Sequence, residues 1–512
     1  MGEPAPSTGA AAAKHASLWL ETATPSDFPA LSEDVAVDVA VIGAGIVGVT
    51  AAVLLKRAGA TVALVEAGRV GAGVTGHTTA KLTSLHSLTY AKLISSFGEV
   101  PARRYAEANQ AAIERIARFV EEEGIECDFR RRTAYTYADE GGDLDPILAE
   151  VDAARRLGLP ASFVEEPPLP FATAGAVRFE DQAEFQPTAY VRALAATIPG
   201  EGSHVVERST ATAVRDHPRR VDTDGGTVYA REVVVATHQP FLYRGLFFAR
   251  THPEREHVLA LRLAGDPPEG MYLSTESPSH TFRAHPTRDG ELLIVGGESH
   301  KTGQGGDTME RVRRLEAWAR ERFDVRAVVY RWAAQDNMPV DGLPFAGRLT
   351  RRSTDLWVAT GLRKWGLTNG TAAAMILTDE ILGRPNPWAS VYDATRFTPL
   401  ASATELLKEN ADVALRFLVG RAWGERDGLA DLHRGEGRIV RLGGRQLAAY
   451  RDEEGVVHAV SPVCTHLRCI VAWNSAERTW DCPCHGSRFD VDGRVVQGPA
   501  IRDLERQVVD TG

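Results

Sequence analysis

The hydrophobic pattern is sharpest near the start of the chain. Residues Val37–Ile42 form a short, almost wholly apolar run, the pattern of a strand buried on both faces. It leads into Gly43-Ala44-Gly45-Ile46-Val47-Gly48, and the apolar spacing then predicts a helix to about Ala58, closed by Gly59. A second strand, Thr61–Val65, ends at Glu66. Taken whole, Val35–Leu55 is long and apolar enough to pass for a membrane span. Asp38 and the three spaced glycines argue instead for strand, turn and helix.

Further along, apolar residues at helical spacing (Ile113, Ile116, Val120) predict a helix over Ala102–Glu123, ending at Gly124. Similar patterns predict helices over Leu144–Leu157 and Pro187–Ile198, with a turn at the Pro-rich stretch Glu165–Pro170. Val233–Thr237, Val258–Leu263 and Leu292–Val295 read as strands, with Arg288-Asp289-Gly290 as a turn. Ser402-Ala403-Thr404-Glu405 is a capping box opening a helix that carries Leu406, Leu407, Val413, Phe417 and Leu418. That helix has both charge signs and little basic excess, so docking onto the rest of the chain is expected rather than membrane binding.

At 512 residues, two or three domains are expected. The apolar content of 44% and charged content of 25% are those of a soluble globular protein. A net charge of −10 argues against a nucleic-acid or anionic-membrane partner. The first twenty residues lack the apolar core of a secretory signal, and residues 1–34 read as a flexible start followed by an ordered extended arm. No integral membrane segment and a cytoplasmic location are the expectations.

The strand–glycine turn–helix–strand–acid unit is a dinucleotide-binding fingerprint. Gly43 permits the tight turn, Gly45 admits a pyrophosphate to the backbone, Gly48 lets helix and sheet approach, and Glu66 can accept from ribose hydroxyls. The fingerprint alone does not choose between FAD and NAD. The Gly/Thr-rich stretch Arg69–Ala80 follows, leading into what reads as another helical segment bearing Lys81 and His86. With Val233–Thr237, Asp341–Gly347, Leu356–Gly361 and Trp365–Gly370, it resembles the D-amino-acid oxidase, glycine oxidase and sarcosine oxidase superfamily. The resemblance covers about residues 37–390. It implies FAD, held in an α/β Rossmann-like domain with Gly361, Gly366, Leu367 and Thr368 near the flavin's pyrimidine end. It also implies an α+β substrate domain, roughly 91–165 and 240–330, whose antiparallel sheet, expected from about 240 to 330, roofs the flavin's reactive face. His77 in the flavin-proximal loop and Arg283 on a strand are the weak catalytic candidates, as a flavin-linking histidine and a substrate-carboxylate anchor. A histidine that merely hydrogen-bonds the flavin or backbone, and an ordinary surface-strand arginine, are the plainer readings.

Four of the five cysteines lie in two boxes, Cys464-Thr465-His466-Leu467-Arg468-Cys469 and Cys482-Pro483-Cys484-His485-Gly486-Ser487. Cys-x-His followed by Cys-x-x-His supplies the two thiolates and two imidazoles of a Rieske [2Fe–2S] centre. Cys464 and Cys482 are assigned to one iron, His466 and His485 to the other. Cys₂His₂ is also a zinc set, but finger sites pair Cys with Cys and His with His. The boxes closely resemble those of the Rieske proteins of cytochrome bc complexes, over about residues 427–512. That resemblance implies an all-β module and a Cys469–Cys484 disulfide. Two positions depart from it: Arg468 replaces a usual Gly, and Phe489 stands where a Tyr is usual. Phe489 cannot donate to a cluster sulfur, so a less oxidising cluster is expected.

Together these readings describe an arm (1–34), an FAD-dependent oxidoreductase (35–392), a linker helix (393–426) and a Rieske domain (427–512). The implied substrate is an amine or amino acid, oxidised by hydride transfer to the flavin, with electrons leaving singly to an unidentified one-electron acceptor. Two alternatives stay open: inward electron flow, as in a reductase component, and an oxidase whose Rieske domain is structural or redox-sensing.

Overall fold

A computed structural model describes residues 13–422 and 429–509, so residues 1–12, 423–428 and 510–512 lie outside it. The strands Val35–Ile42 and Val62–Val65 pair in parallel as the heart of an eight-stranded sheet. Its parallel strands run in the order Leu356–Thr360, Thr227–Val235, Val35–Ile42, Val62–Val65, His204–Val206. Both faces of the central strand are buried. Val39 and Val41 join one apolar cluster with the helices Ile46–Arg57 and Gly366–Ile381, while Ala40 and Ile42 join another on the opposite face. The apolar run near the N-terminus is therefore a strand and a helix, as its glycines required. Among the described residues no helix is long and apolar enough to cross a membrane.

The second sheet has ten strands and is largely antiparallel. Its long strands Thr251–Leu263, Val325–Pro339 and Gly290–Lys301 lie side by side, and it reaches well beyond 240–330 to include Arg130–Asp139 and Thr173–Glu184. The helix Glu99–Glu122 packs against the helix Gly366–Ile381 in the first apolar cluster.

Three local expectations change. Lys81 and His86 are not helical: Lys81–Leu82 is a short strand against Ala183 and Glu184, and the next helix starts only at Tyr90. The Gln182 side chain accepts from Thr83 and Ser84, which holds this stretch extended. The linker helix spans Pro399–Ala422, which places Ser402 inside it rather than at its cap. The arm is not simply extended. Lys14–His15 pairs with Tyr330–Arg331, then a short helix, Leu18–Thr22, buries Trp19 fully.

The C-terminal module consists of two small sheets, one of three strands (Gly437–Leu442, Arg445–Arg451, Val457–Val460) and one of four (Ala472–Asn474, Thr479–Asp481, Arg488–Phe489, Val495–Gln497). It is docked on the larger body. Val413 and Phe417 of the linker helix pack against its core, and Lys301 pairs with Glu409 at 2.7 Å. Thr308 Oγ1 donates to Asn474 Oδ1 at 2.8 Å and accepts from Ala476 N at 2.9 Å.

Candidate active site and iron–sulfur centre

The glycine turn builds one end of a deep cavity of about 560 Å³, within the ~300–1,000 Å³ common for cofactor sites. Gly43 has φ +100°, and a Cβ there would lie 2.6 Å from Ala236 O. A Cβ on Gly48 would sit 1.8 Å from Gly43 O, so this glycine serves the close packing of helix on turn and does not line the cavity. Gly45 and Glu66 do line it. Glu66 accepts from Ala44 N and Gly68 N, each at 2.8 Å, and burial raises its pKa. Its oxygens keep lone pairs free for hydroxyl donors. Gly366 and Leu367 line the cavity from the start of their helix. Gly361 and Thr368 lie outside the lining: Gly361 takes φ +66° after its strand, and Thr368 Oγ1 donates to Thr83 O at 3.2 Å. His238 Nε2, in the wall, is buried without a hydrogen bond and lies 3.9 Å from Asp336, which suits a site shaped for a polar ligand.

Neither weak catalytic candidate reaches the cavity. His77 Nδ1 lies 2.8 Å from Gly73 O, and its ring feels the charges of Glu477, Arg488 and Arg255, at the boundary with the C-terminal module. Arg283 is buried over Trp19, lies 3.4 Å from Glu184, and donates to Thr79 O and Phe185 O at 2.8 and 3.1 Å. It braces the Gly/Thr-rich loop, whose Thr78 and Thr79 do line the cavity.

The cavity instead presents Glu254, Glu256, Asp336 and Lys364. Side chains alternate along a strand. Glu254 and Glu256 thus face the cavity, while Arg255 between them points the other way, fully buried against Glu477 of the C-terminal module. Arg488 completes this ion cluster from the far side. Lys364 Nζ lies 3.1 Å from Glu254 and donates to Ser299 Oγ at 2.8 Å, while its backbone N–H donates to Asp336. Lys364 and Arg363 both hold positive φ, an unusual pair for bulky residues at the mouth of a helix. Burial pushes the Asp336 carboxyl up to about 7, against hydrogen bonds from Asn337 and Lys364. The sequence carried one signal for this group, the alternation of charges in Glu254-Arg255-Glu256-His257 within a strand.

The two cysteine–histidine boxes fold into facing loops closed by their own backbones. Cys464 N donates to Cys469 O at 2.8 Å, and Gly486 N to Cys482 O at 3.0 Å. Cys469 and Cys484 are joined in a disulfide, with an S–S distance of 2.01 Å. The sulfurs of Cys469, Cys482 and Cys484 cluster within 4.8 Å, but two of them are spent on that bond. Cys464 and Cys482 remain as buried free thiols. Hydrogen bonding from Cys482 pulls the Cys464 thiol down to about 7. The rings of His466 and His485 stand 5.1 Å apart, and both Nδ1 atoms are buried without a partner. Burial lowers their pKa values to about 4 and about 3, which keeps both imidazoles in the neutral form that ligates iron. Two thiols and two orphaned imidazole nitrogens fit a [2Fe–2S] cluster.

Arg468 has φ +62°, which explains why glycine is usual at this position. Arg468→Gly should stabilise the module by about 1 kcal/mol, read as a higher denaturant midpoint of the cluster's visible circular dichroism. Phe489 is fully buried in the same core as Cys464 and Cys482. Phe489→Tyr should therefore raise the cluster's reduction potential, measured by redox titration with electron paramagnetic resonance.

The histidine edge of the centre is covered by the larger domain. Tyr243 stacks on His466 at 5.4 Å and donates to His466 O at 2.9 Å, and Phe248 meets His485 edge-on at 5.5 Å. Gln335 Nε2 donates to Gly486 O at 2.9 Å. A Cβ on Gly486 would lie 2.4 Å from that nitrogen, so the contact itself requires glycine.

Comparison with known proteins matches this geometry. Residues 38–380 fit the family model described as FAD dependent oxidoreductase, and residues 423–507 fit the Rieske [2Fe-2S] domain. The Rieske 2Fe-2S iron-sulfur protein YhfW of Bacillus subtilis (strain 168) is 37% identical over 491 residues, covering 95% of this chain and 96% of that one. Cytochrome b6-f complex iron-sulfur subunit 1 of Nostoc is 53% identical over 47 residues, 9% of this chain and 26% of that one. Glycine oxidase from Geobacillus kaustophilus shares the fold at 19% identity and TM-score 0.60, over 71% of this chain and 99% of that one. L-Proline dehydrogenase from P. horikoshii does so at 18% and 0.58, over 72% and 98%. The chain belongs to the family of FAD dependent oxidoreductases and carries a Rieske [2Fe-2S] domain at its C-terminal end.

Proposed function

We propose that this protein oxidises a cationic amine at its C–N bond and passes the electrons one at a time through the Rieske module to an external acceptor. The observation carrying this reading is the strand at Gln335: its neighbours Ala334 and Asp336 face the cavity, while the Gln335 amide on the opposite face donates to the carbonyl beside the cluster ligand His485. When bound, FAD supplies a two-electron acceptor and the [2Fe–2S] cluster a one-electron relay. The packing of Tyr243 and Phe248 on the ligand imidazoles supports transfer between the two domains.

The charge of the cavity supports the substrate class. Glu254, Glu256 and Asp336 outnumber Lys364, and no arginine stands among the described lining residues to anchor a carboxylate. Glu254 and Glu256 can hold the ammonium group. Asp336, with its pKa of about 7, can take a proton from it and leave the neutral amine, the form able to give up hydride. The imine formed hydrolyses in water, so no side-chain nucleophile is needed. Below pH 7 Asp336 is protonated and cannot accept, so kcat/KM should rise as pH passes through about 7. In Asp336→Asn that limb should vanish and kcat/KM should fall about 100-fold.

The decisive test is anaerobic. Addition of 1,4-diaminobutane or another simple amine should bleach the flavin absorption, and the cluster's paramagnetic signal should follow. Bleaching by amino acids such as glycine but by no amine across a panel would overturn the substrate class. A bleached flavin with a silent cluster would overturn the relay.

A further inference from the structure

We infer that the Rieske module supplies part of the FAD site itself, with the segment 495–501 closing one wall of the cavity and the Gln497 amide donating to the cofactor. The glycine turn and Glu66 belong to the N-terminal domain, yet Val495, Val496, Gln497, Gly498, Pro499, Ala500 and Ile501 line the same cavity. Ile501 packs against the apolar cluster that contains Ala211 and Phe241, themselves lining residues, so the wall is seated on the FAD domain. Gln497 Nε2 is buried and has no partner. A buried amide donor left unpaired costs stability, and this one belongs to a residue that lines the cavity an acceptor-rich dinucleotide would fill. The phosphate oxygens, ribityl hydroxyls and ring carbonyls of FAD are all acceptors that an amide N–H can serve.

The wall also reaches the cluster. Ala500 N donates to Ser487 Oγ at 3.0 Å, and Ser487 follows His485 by two residues in the ligand loop. Ser487 is fully buried, so the bond is not shared with water. One segment of seven residues thus borders the flavin cofactor at its front and the iron–sulfur loop at its back. Binding at one site then biases the other, and the bias is reciprocal. FAD holds the Rieske module in place, and the module holds FAD in.

FAD release from the intact holoprotein, followed by the rise of free-flavin fluorescence, tests this whatever the substrate or the direction of electron flow. Gln497→Leu should speed release about tenfold, the worth of one hydrogen bond to a polar or charged partner, and Gln497→Glu should speed it further by setting a carboxylate against acceptor oxygens. Release within twofold of the unaltered protein in both variants, with the cluster spectrum retained, would overturn the proposal. Should either variant lose its cluster, the unaltered chain decides. Hydrogen–deuterium exchange of the 495–501 amides should slow when FAD is restored to protein stripped of it. Equal exchange in the two states would overturn the proposal as well.

Discussion

Glu477→Ala should weaken the docking of the Rieske module by about 3–5 kcal/mol, the usual cost of leaving buried charges without their partner. Glu477 accepts from the guanidiniums of both Arg255 and Arg488, and Arg255 is completely buried. Its other oxygen accepts from Ala333 N at 3.1 Å, so the same carboxylate also ties the module to a strand of the large sheet. Asp481 lies 3.1 Å from Arg488 but 4.0 Å from Arg255, so it leaves Arg255 poorly compensated. The measurement is the denaturant midpoint read separately from flavin fluorescence and from the cluster's circular dichroism. The cluster signal should be lost first, and a midpoint equal to that of the unaltered protein would mean the module is held by other contacts. The same group predicts an acid sensitivity. Burial pushes its pKa up, but Arg255 and Arg488 outweigh burial and hold it at about 2, below its ordinary 4.5. Its contribution is therefore complete above about pH 4.5 and is lost as pH falls toward 2.

His485→Ala should abolish the cluster while the protein, assayed with FAD in excess, still binds its flavin. The substitution removes one of two imidazole ligands from a buried loop, and the glycine turn with Glu66 is untouched. Flavin bleaching by substrate should survive, whereas turnover with a one-electron acceptor should fall by more than about 100-fold, beyond what loss of a supporting contact to a ligand costs. An oxidase with a decorative Rieske domain makes the opposite prediction, with oxygen consumption and peroxide formation unchanged. Equal steady-state rates for the two proteins with the natural acceptor would falsify the relay.

The two cofactor motifs were legible because their chemistry is local. Spacing within six residues sets the glycine turn and each cysteine–histidine box, and no distant contact is needed to recognise them. Helices followed for a similar reason: the periodicity over Ala102–Glu123 marks the helix that runs Glu99–Glu122. What failed depended on partners far along the chain. Lys81 is a strand residue because it meets Glu184, about a hundred positions later, and nothing in its own neighbourhood announces that. The charged residues of the cavity were hidden by a sound rule, that Glu, Lys and Arg are seldom buried unless paired. Arg255 is buried because its partner lies 222 residues away in another module. Arg283 met that exception in reverse, since it is buried and paired where a surface strand was the ordinary reading.

The strand Thr251–Leu263 also limits how this chain can diverge. Deleting one residue ahead of Glu254 would turn the Arg255 position toward the cavity and set an acid against Glu477, because a slip of one reverses both faces at once. Changes in length should then collect where no seam runs, as in the loop 264–270 that follows this strand. Among relatives, gaps should be absent from 251–263 and from 495–501 even where the surrounding identity has decayed. In such a lineage the two halves travel as one heritable unit, and a domain shuffled in from elsewhere would have to arrive already in step with that strand.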